Sequence, residues 1–157
     1  MKIKIKKSPD ADRRTAQGEV TPNKLEKASI EHIQDVRKGM SFLADMLNEA
    51  GACHDWTKTR YLKEFWEDYK QGLTGDEFKK APWYQIHINK ERHHLNSRCP
   101  EDVNLLDVLE LIVDCVMAGK GRFAKVDMEF FELPDGVLEE AYQNTIKMVN
   151  EAVEVED

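Results

Sequence analysis

Histidine and aspartate are the side chains in this sequence whose types and spacing best suit metal chemistry. Imidazole nitrogen and carboxylate oxygen together suit a borderline divalent ion, and a His-Asp dipeptide can supply ligands to one ion or to an adjacent pair. Such a dipeptide occurs at His54-Asp55. The other candidates have the same ligand chemistry and lie on both sides of it: His32, His87, His93, His94 and Asp114. Taken together, this order predicts a metal site.

Asp114 is the candidate with the weakest ordinary explanation. It lies in the apolar stretch L-I-V-D-C-V-M, well inside a predicted buried helix, where a carboxylate has no capping role. A carboxylate there needs a cation, a metal or a hydrogen-bond network to offset its desolvation. Asp107 differs, because it follows Asn104 by three residues and suits a capping box at the start of the same helix.

The histidines each have an ordinary alternative when taken singly. His32 suits a hydrogen-bonded position at the edge of a core-facing helix stripe. His54-Asp55 suits a turn before a helix, with Asp55 or Thr57 as the N-cap. The three later histidines suit a polar helix C-terminus, where positive charge is favourable.

Helices are the elements that must position these residues. Apolar residues recur with helical spacing in five segments: from Leu25 or Ser29 to Ala50, then Thr59–Gln71, Asp76–His94 with a bend at Pro82, Asn104–Ala118, and Pro134–Val153. Gly51 is expected to end the first helix, and Gly119 and Gly121 the fourth. We therefore predict an all-α fold, a bundle of five or more helices.

The N-terminal residues differ from the rest. Met1–Lys7 alternates apolar and basic residues, which is a weak signal for an edge strand, and residues 8–23 are polar with Pro9, Gly18 and Pro22. We predict a short irregular or edge-strand arm at residues 1–27, followed by one helical domain at residues 28–157. Any sheet is expected to be confined to that arm.

Composition excludes several classes of protein. The 157 residues carry 23 Lys and Arg against 30 Asp and Glu, a formal net charge of −7. That charge argues against bulk nucleic-acid binding. No stretch approaches the ~18 apolar residues of a membrane span, so we expect a cytoplasmic protein without membrane partners. The three cysteines lack CxxC spacing, which argues against a disulfide framework or a cysteine zinc knuckle.

The order of His32, His54-Asp55 and Asp114 along the chain resembles that of the HD superfamily of metal-dependent phosphohydrolases. In that superfamily a histidine, an HD dipeptide and a later aspartate lie on successive helices. The chain also resembles DUF5662, an uncharacterised family whose members often occur in phages and prophages. The matching stretches cover most of Ser29–Thr145: SIEHIQDVRKGM, HDWTK, EFWEDY, W…H…ERHHL, DVNLLDVLELIVDCVMAGKGR and, more weakly, AYQNT. The resemblance implies an HD-like helical domain and, for a phage-encoded chain, a location in the host cytoplasm.

The resemblance also implies the composition of the site. A first metal would be held by four residues: His32, His54, Asp55 and Asp114. A second would be held by His87 with either His93 or His94. His94 is favoured because it lies seven residues after His87, on the same helix face, unless the helix breaks before the histidine pair. Glu91, where relatives often carry asparagine, would orient or join the site.

The remaining implied roles concern phosphate. Lys58 would contact a phosphate, with a solvated helix-surface lysine as an equal alternative. Arg92 and Arg122 are further candidates to neutralise it. Asp55 would bridge two ions or orient the attacking water. Mn, Mg, Fe, Co, Ni and Zn all stay open as the metal, in one or two ions.

The sequence therefore predicts a phosphohydrolase acting on a nucleotide or another small phosphorylated metabolite, through a metal-activated water. A homo-oligomer is compatible with this prediction. The alternative is a non-catalytic phage protein that binds metal or sequesters a ligand and acts on a host partner. A third interpretation is a metal-dependent oxygenase, because some HD proteins carry a di-iron pair.

Overall fold

A computed structural model describes residues 2–123 and 132–156 of the chain, which are mostly helical. The helices follow one another along the chain: α1 (Pro22–Cys53), α2 (Trp56–Arg60), α3 (Leu62–Lys70), α4 (Gly75–Lys79), α5 (Pro82–Lys90), α6 (Leu105–Phe123) and α7 (Val137–Ala152). Two short strands, β1 (Ile3–Lys6) and β2 (Val153–Glu156), lie near the ends of the chain. The predicted all-α fold with a short N-terminal strand is confirmed. Within the described residues, no helix combines the length and apolar character needed to cross a bilayer.

The chain divides into two compact units. The first comprises Met1–Met46 and Ile146–Asp157, and the second comprises Leu47–Thr145. The core of the first unit contains Ile3, Phe42 and Ala152. The core of the second contains five buried residues from the segments around α6 and α7: Leu95, Val103, Val108, Val137 and Ala141. Each predicted site residue except His32 belongs to the second unit.

The sheet of the first unit joins the two ends of the chain. β1 pairs in parallel with β2, with Ile3 opposite Val153 and Lys4 opposite Glu154. Lys4 Nζ also lies 2.9 Å from Glu156 Oε1, so a basic strand pairs with an acidic one. The prediction that any sheet would be confined to the N-terminal arm was wrong. The alternating V-E-V-E segment after α7 was the overlooked signal.

Several predicted helix ends were also wrong. Gly51 lies inside α1, and Gly119 and Gly121 lie inside α6. A glycine inside a helix costs about 1 kcal/mol relative to alanine, which tertiary packing can offset. The fourth predicted helix is not buried all round, because α6 exposes residues such as Val113 (54%) and Met117 (65%).

The long helix predicted at Asp76–His94 is instead two helices. Ala81 is extended (ψ 137°), as expected for a residue before proline, and α5 begins at Pro82. Glu91 is also extended (ψ 122°), so α5 ends at Lys90 and the two histidines that follow leave the helix. His87 and His94 therefore do not lie on one continuous helix, and their seven-residue spacing gives no reason to prefer His94 to His93.

Two carboxylates fix the helices that carry the site. Asp68, buried in α3, accepts a hydrogen bond of 2.7 Å from the backbone N–H of Trp83 in the first turn of α5. At the start of α6, Asp107 accepts the N–H of Asn104 and Asn104 accepts the N–H of Leu106, each at 2.9 Å. The predicted capping role of Asp107 is confirmed. These contacts fix the starts of both helices.

Candidate metal centre

The His-Asp dipeptide lies in the turn between α1 and α2. Asp55 has a left-handed backbone (φ 55°), which aspartate and asparagine adopt more readily than other non-glycine residues. Asp55 occupies the N-cap position of α2, but its carboxylate makes no capping hydrogen bond within the described residues. The turn therefore leaves this carboxylate available to other groups.

Asp55 belongs to two clusters of potential metal ligands. One comprises His54, Asp55 and His93, and the other comprises Asp55, His87 and His94; within each, the ligand atoms lie within 4.8 Å of one another. Asp55 Oδ1 lies 3.5 Å from His87 Nε2 and 3.8 Å from His93 Nε2. Asp55 Oδ2 lies 3.4 Å from His54 Nε2. Both His93 and His94, predicted as alternatives, take part.

Helix α6 contributes two further carboxylates. Asp114 Oδ1 lies 3.4 Å from His54 Nε2, and Asp114 Oδ2 lies 4.0 Å from His93 Nε2. Glu110 Oε1 lies 2.9 Å from His54 Nδ1 and 3.0 Å from His93 Nδ1. Glu110 was not predicted as a site residue. Its spacing of four residues before Asp114, which puts both on one helix face, was the available signal.

Several buried polar atoms in these clusters are unsatisfied. Asp55 Oδ1 and both ring nitrogens of His93 lack a hydrogen bond to any described residue, although His93 Nδ1 lies 3.0 Å from Glu110 Oε1. His87 Nε2 and His94 Nε2 are 2.7 Å apart, a contact that needs a proton or a cation between the lone pairs. Buried polar atoms without partners are costly. The donor set and its unsatisfied atoms fit a divalent metal ion.

The protonation states also suit metal binding. Burial and the neighbouring His94 lower the pKa of His87 to about 3. Burial and the neighbouring His93 lower the pKa of His94 to about 4. Both rings are therefore neutral near pH 7, which is the form that binds metals.

Asp55 is anionic at the same pH. Burial raises the pKa of this carboxyl group, but a hydrogen bond and charge from Lys58, with the nearby His54 and His87, lower the pKa by more. Lys58 Nζ donates directly to Asp55 Oδ2. Burial likewise raises the pKa of Glu110, which His93 and His54 lower by more. An anionic oxygen and two neutral imidazoles thus meet in the cluster of Asp55, His87 and His94.

A cavity of about 540 Å³ opens beside these residues. Four of the candidate ligands line it: Asp55, His87, His94 and Asp114. Lys58 and Arg122, two of the predicted phosphate contacts, also line it. Its wall includes four aromatic residues: Phe65, Phe78, Trp83 and Tyr84. The cavity therefore combines a ligand cluster, cationic groups and an apolar wall.

Arg92, the third predicted phosphate contact, is held elsewhere. Its guanidinium donates to Asp107 through Nε (2.7 Å) and Nη2 (2.9 Å). It also donates from Nη1 to the Asp102 carboxylate at 3.0 Å. The two hydrogen bonds from Arg92 to Asp107 tie the residue before His93 to the start of α6. The geometry thus favours a positioning role for Arg92 over phosphate binding.

His32 lies on α1 in the first unit, and its side chain is exposed. Its ligation of a metal stays a prediction. Glu91 is buried and accepts hydrogen bonds from the backbone and the hydroxyl of Thr57. Its role in orienting or joining the site stays a prediction.

Replacing Asp107 with alanine is expected to lower the free energy of unfolding by about 2–3 kcal/mol, because it removes a helix cap and a charge-assisted pair. Chemical denaturation followed by far-UV circular dichroism measures the change. Asp102→Ala is the matched control: this carboxylate is 79% exposed, so its pair with Arg92 is worth at most about 1 kcal/mol. Equal losses in the two variants would contradict the assigned role of Asp107.

Comparisons with known proteins identify no relative. No protein-family model matches the chain, and neither does any curated protein or solved structure. The resemblance to the HD superfamily and to DUF5662 stays a prediction. Function is therefore proposed from the residues of the site themselves.

Proposed function

We propose that the chain is a metal-dependent phosphohydrolase that acts on a nucleotide or another small phosphorylated metabolite. One observation carries the proposal: two His/Asp clusters share Asp55 at the wall of a cavity that also presents Lys58 and Arg122. Paired ligand clusters beside cationic side chains suit the hydrolysis of a phosphate ester, in which negative charge must be stabilised on several oxygens.

The residues divide between two ion positions. His54, Asp55 and His93, with Asp114 beside them, would hold one ion, and Asp55, His87 and His94 would hold the other. A divalent ion bound there would lower the pKa of coordinated water and polarise a phosphoryl oxygen. Asp55 carries the charge common to both positions.

Lys58 and Arg122 supply the cationic groups for the substrate. The Lys58 ammonium has three donors, so it can keep its bond to Asp55 and still donate to a phosphate oxygen. Arg122 lies in the last turn of α6, and its guanidinium can bind phosphate in a bidentate manner. Both contacts strengthen as negative charge builds on the transferred group.

The cavity favours a small substrate. Its volume of about 540 Å³ lies within the range of about 300–1,000 Å³ that is usual for small-molecule sites. The net charge of −7 disfavours a polynucleotide, whereas a local pair of cations serves one phosphorylated molecule. The aromatic wall offers an apolar surface to the rest of such a molecule.

Metal analysis and a substrate panel test the proposal. Protein purified without chelators is expected to contain a divalent metal in stoichiometric amount, and to release phosphate or a nucleoside product from part of a nucleotide panel with Mn²⁺, Mg²⁺, Co²⁺ or Ni²⁺. Lys58→Met is expected to raise KM and to lower kcat, because it removes a phosphate contact that is stronger in the transition state. Metal and nucleotide binding without turnover would support the non-catalytic alternative instead. Bound iron with an optical signature would favour an oxygenase.

A further inference from the structure

A chain of buried hydrogen bonds ends on one of the proposed ligands. Thr57 is fully buried (0% exposed), and so, nearly, are Glu91 (5%) and His87 (4%). The backbone N–H and the hydroxyl of Thr57 both lie close to Glu91 Oε1, at 2.9 Å and 2.6 Å. Thr57 Oγ1 lies 2.7 Å from His87 Nδ1. Three segments of the second unit thus meet in a carboxylate–hydroxyl–imidazole chain.

The backbone contact sets the direction of these bonds. Because Glu91 Oε1 accepts the N–H of Thr57, it is an acceptor, and the Thr57 hydroxyl donates its proton to the same oxygen. The hydroxyl therefore turns its lone pairs toward His87. The proton in that contact must come from the ring, so His87 carries its hydrogen on Nδ1 and leaves Nε2 with a free lone pair.

That lone pair points at the second ligand cluster. His87 Nε2 lies 3.5 Å from Asp55 Oδ1 and 2.7 Å from His94 Nε2. The ring plane is held as well, since Trp83 stacks on His87 with centroids 4.8 Å apart and an angle of 17°. In the metal-free protein, His94 must then supply the proton of the contact between the two rings.

We propose that Glu91 and Thr57 are positioning residues that fix His87 as the Nδ1–H tautomer and present its Nε2 lone pair to a metal. Outer partners of this kind orient a ligating histidine and raise its affinity for the ion. The effect on metal affinity rests on the proposed metal centre, whereas the tautomer does not. The two can therefore be tested separately.

The tautomer is measured first, in metal-free protein with ¹⁵N-labelled histidine. Long-range ¹H–¹⁵N spectra distinguish protonated from unprotonated ring nitrogens, and His87→Gln assigns the His87 signals among the five histidines. We expect Nδ1–H on His87 and Nε2–H on His94. An Nε2–H tautomer for His87 in the wild-type protein would overturn the proposal, whatever the protein's activity.

Glu91 variants test the origin of the tautomer. In Glu91→Leu the Thr57 hydroxyl loses its acceptor and is free to donate to His87 Nδ1, so His87 is expected to switch to Nε2–H. Glu91→Gln is the matched control, because its amide oxygen still accepts from Thr57 and the Nδ1–H tautomer is retained. An unchanged tautomer in a folded Glu91→Leu variant would contradict the proposed role of the carboxylate–hydroxyl–imidazole chain.

Thr57 variants test the consequence for metal affinity. Thr57→Val keeps the shape but removes the hydroxyl, and we expect Mn²⁺ to bind about 10–100-fold more weakly in calorimetry. Thr57→Ser keeps a hydroxyl at this position, and it is expected to keep both the Nδ1–H tautomer of His87 and the wild-type affinity for Mn²⁺. If Thr57→Val does not fold, Thr57→Ser and Glu91→Gln must still show the Nδ1–H tautomer. If the wild-type protein shows the Nδ1–H tautomer of His87 but binds no Mn²⁺, the metal centre is refuted, whereas the role of Glu91 and Thr57 in fixing the tautomer stands.

Discussion

Replacing Asp55 with asparagine is expected to abolish divalent-metal binding at both ligand clusters and to reduce hydrolysis by more than about 100-fold. Removing a residue that only hydrogen-bonds to a metal ligand lowers metal affinity or activity by about 10–100-fold. Asp55 is expected to matter more, because it is the candidate ligand that the two clusters share. Asparagine is the informative substitution, because it is the other residue that tolerates the left-handed backbone of Asp55. The change therefore removes the charge without adding backbone strain.

The measurement combines elemental analysis, calorimetric titration with Mn²⁺ and assays on the substrates of the wild-type protein. Asp76→Asn is the matched control, since Asp76 is an aspartate of the same unit whose side chain is 88% exposed and pairs with surface Lys79. It is expected to behave as wild type. Loss of only one of two bound ions in Asp55→Asn would show that Asp55 is not shared.

Most of the candidate ligand set was predictable because it depends on residue types and order. The His-Asp dipeptide, the later histidines and the isolated aspartate in an apolar helix all indicated metal chemistry, and helical periodicity indicated the fold. Glu110 was not predicted, because a glutamate on a helix usually faces solvent. Its spacing before Asp114 was a weak signal, and its contacts with His54 and His93, residues distant in sequence, are what place it at the site.

The segment around His93 shows why local patterns were insufficient. Its helical spacing suggested a continuous helix, but Glu91 leaves the helix and bonds to Thr57, 34 residues earlier in the chain. Arg92 bonds to Asp107 on α6, 15 residues later. These tertiary contacts stabilise the break after α5 and bring His93 into one cluster and His94 into the other. No local propensity in the segment encodes those partners.

Asp114 provides the second large expected effect. In wild-type protein, a metal present at 100 times its Kd should stabilise the folded state by about 2.7 kcal/mol. If Asp114→Asn weakens binding 100-fold, the same metal concentration should stabilise the variant by only roughly 0.4 kcal/mol. At a pH well above the pKa of His93, the chelated variant should melt like chelated wild type, because asparagine keeps the volume and removes only the anionic oxygen. Thermal melts with chelator and with Mn²⁺ measure both quantities.

A purely electrostatic role for Asp114 predicts a different pH dependence. Burial lowers the pKa of His93, but Glu110, Asp55 and Asp114 raise it by more, so it lies above its usual 6.5 in the folded protein. A raised histidine pKa contributes stability that is fully present below about pH 6.5 and is lost as the pH rises through the folded-state pKa. If Asp114 serves only to pair with protonated His93, Asp114→Asn must destabilise the chelated protein at about pH 6 and have no effect well above that pKa.

The two roles can therefore be distinguished in the same set of melts. Ligation predicts that the variant loses the Mn²⁺ stabilisation at both pH values. Its chelated stability should equal that of wild type well above the pKa of His93, with only a small loss at about pH 6, where Asp114 is one of three carboxylates that raise that pKa. A chelated variant that is weaker at low pH, with the Mn²⁺ effect retained, would contradict ligation. We expect ligation, because Asp114 approaches both His54 and His93 through their Nε2 atoms, and Glu110 already lies against the Nδ1 atoms of the same two rings. A carboxylate that only balanced charge would not need to meet both rings at the nitrogens that face Asp55.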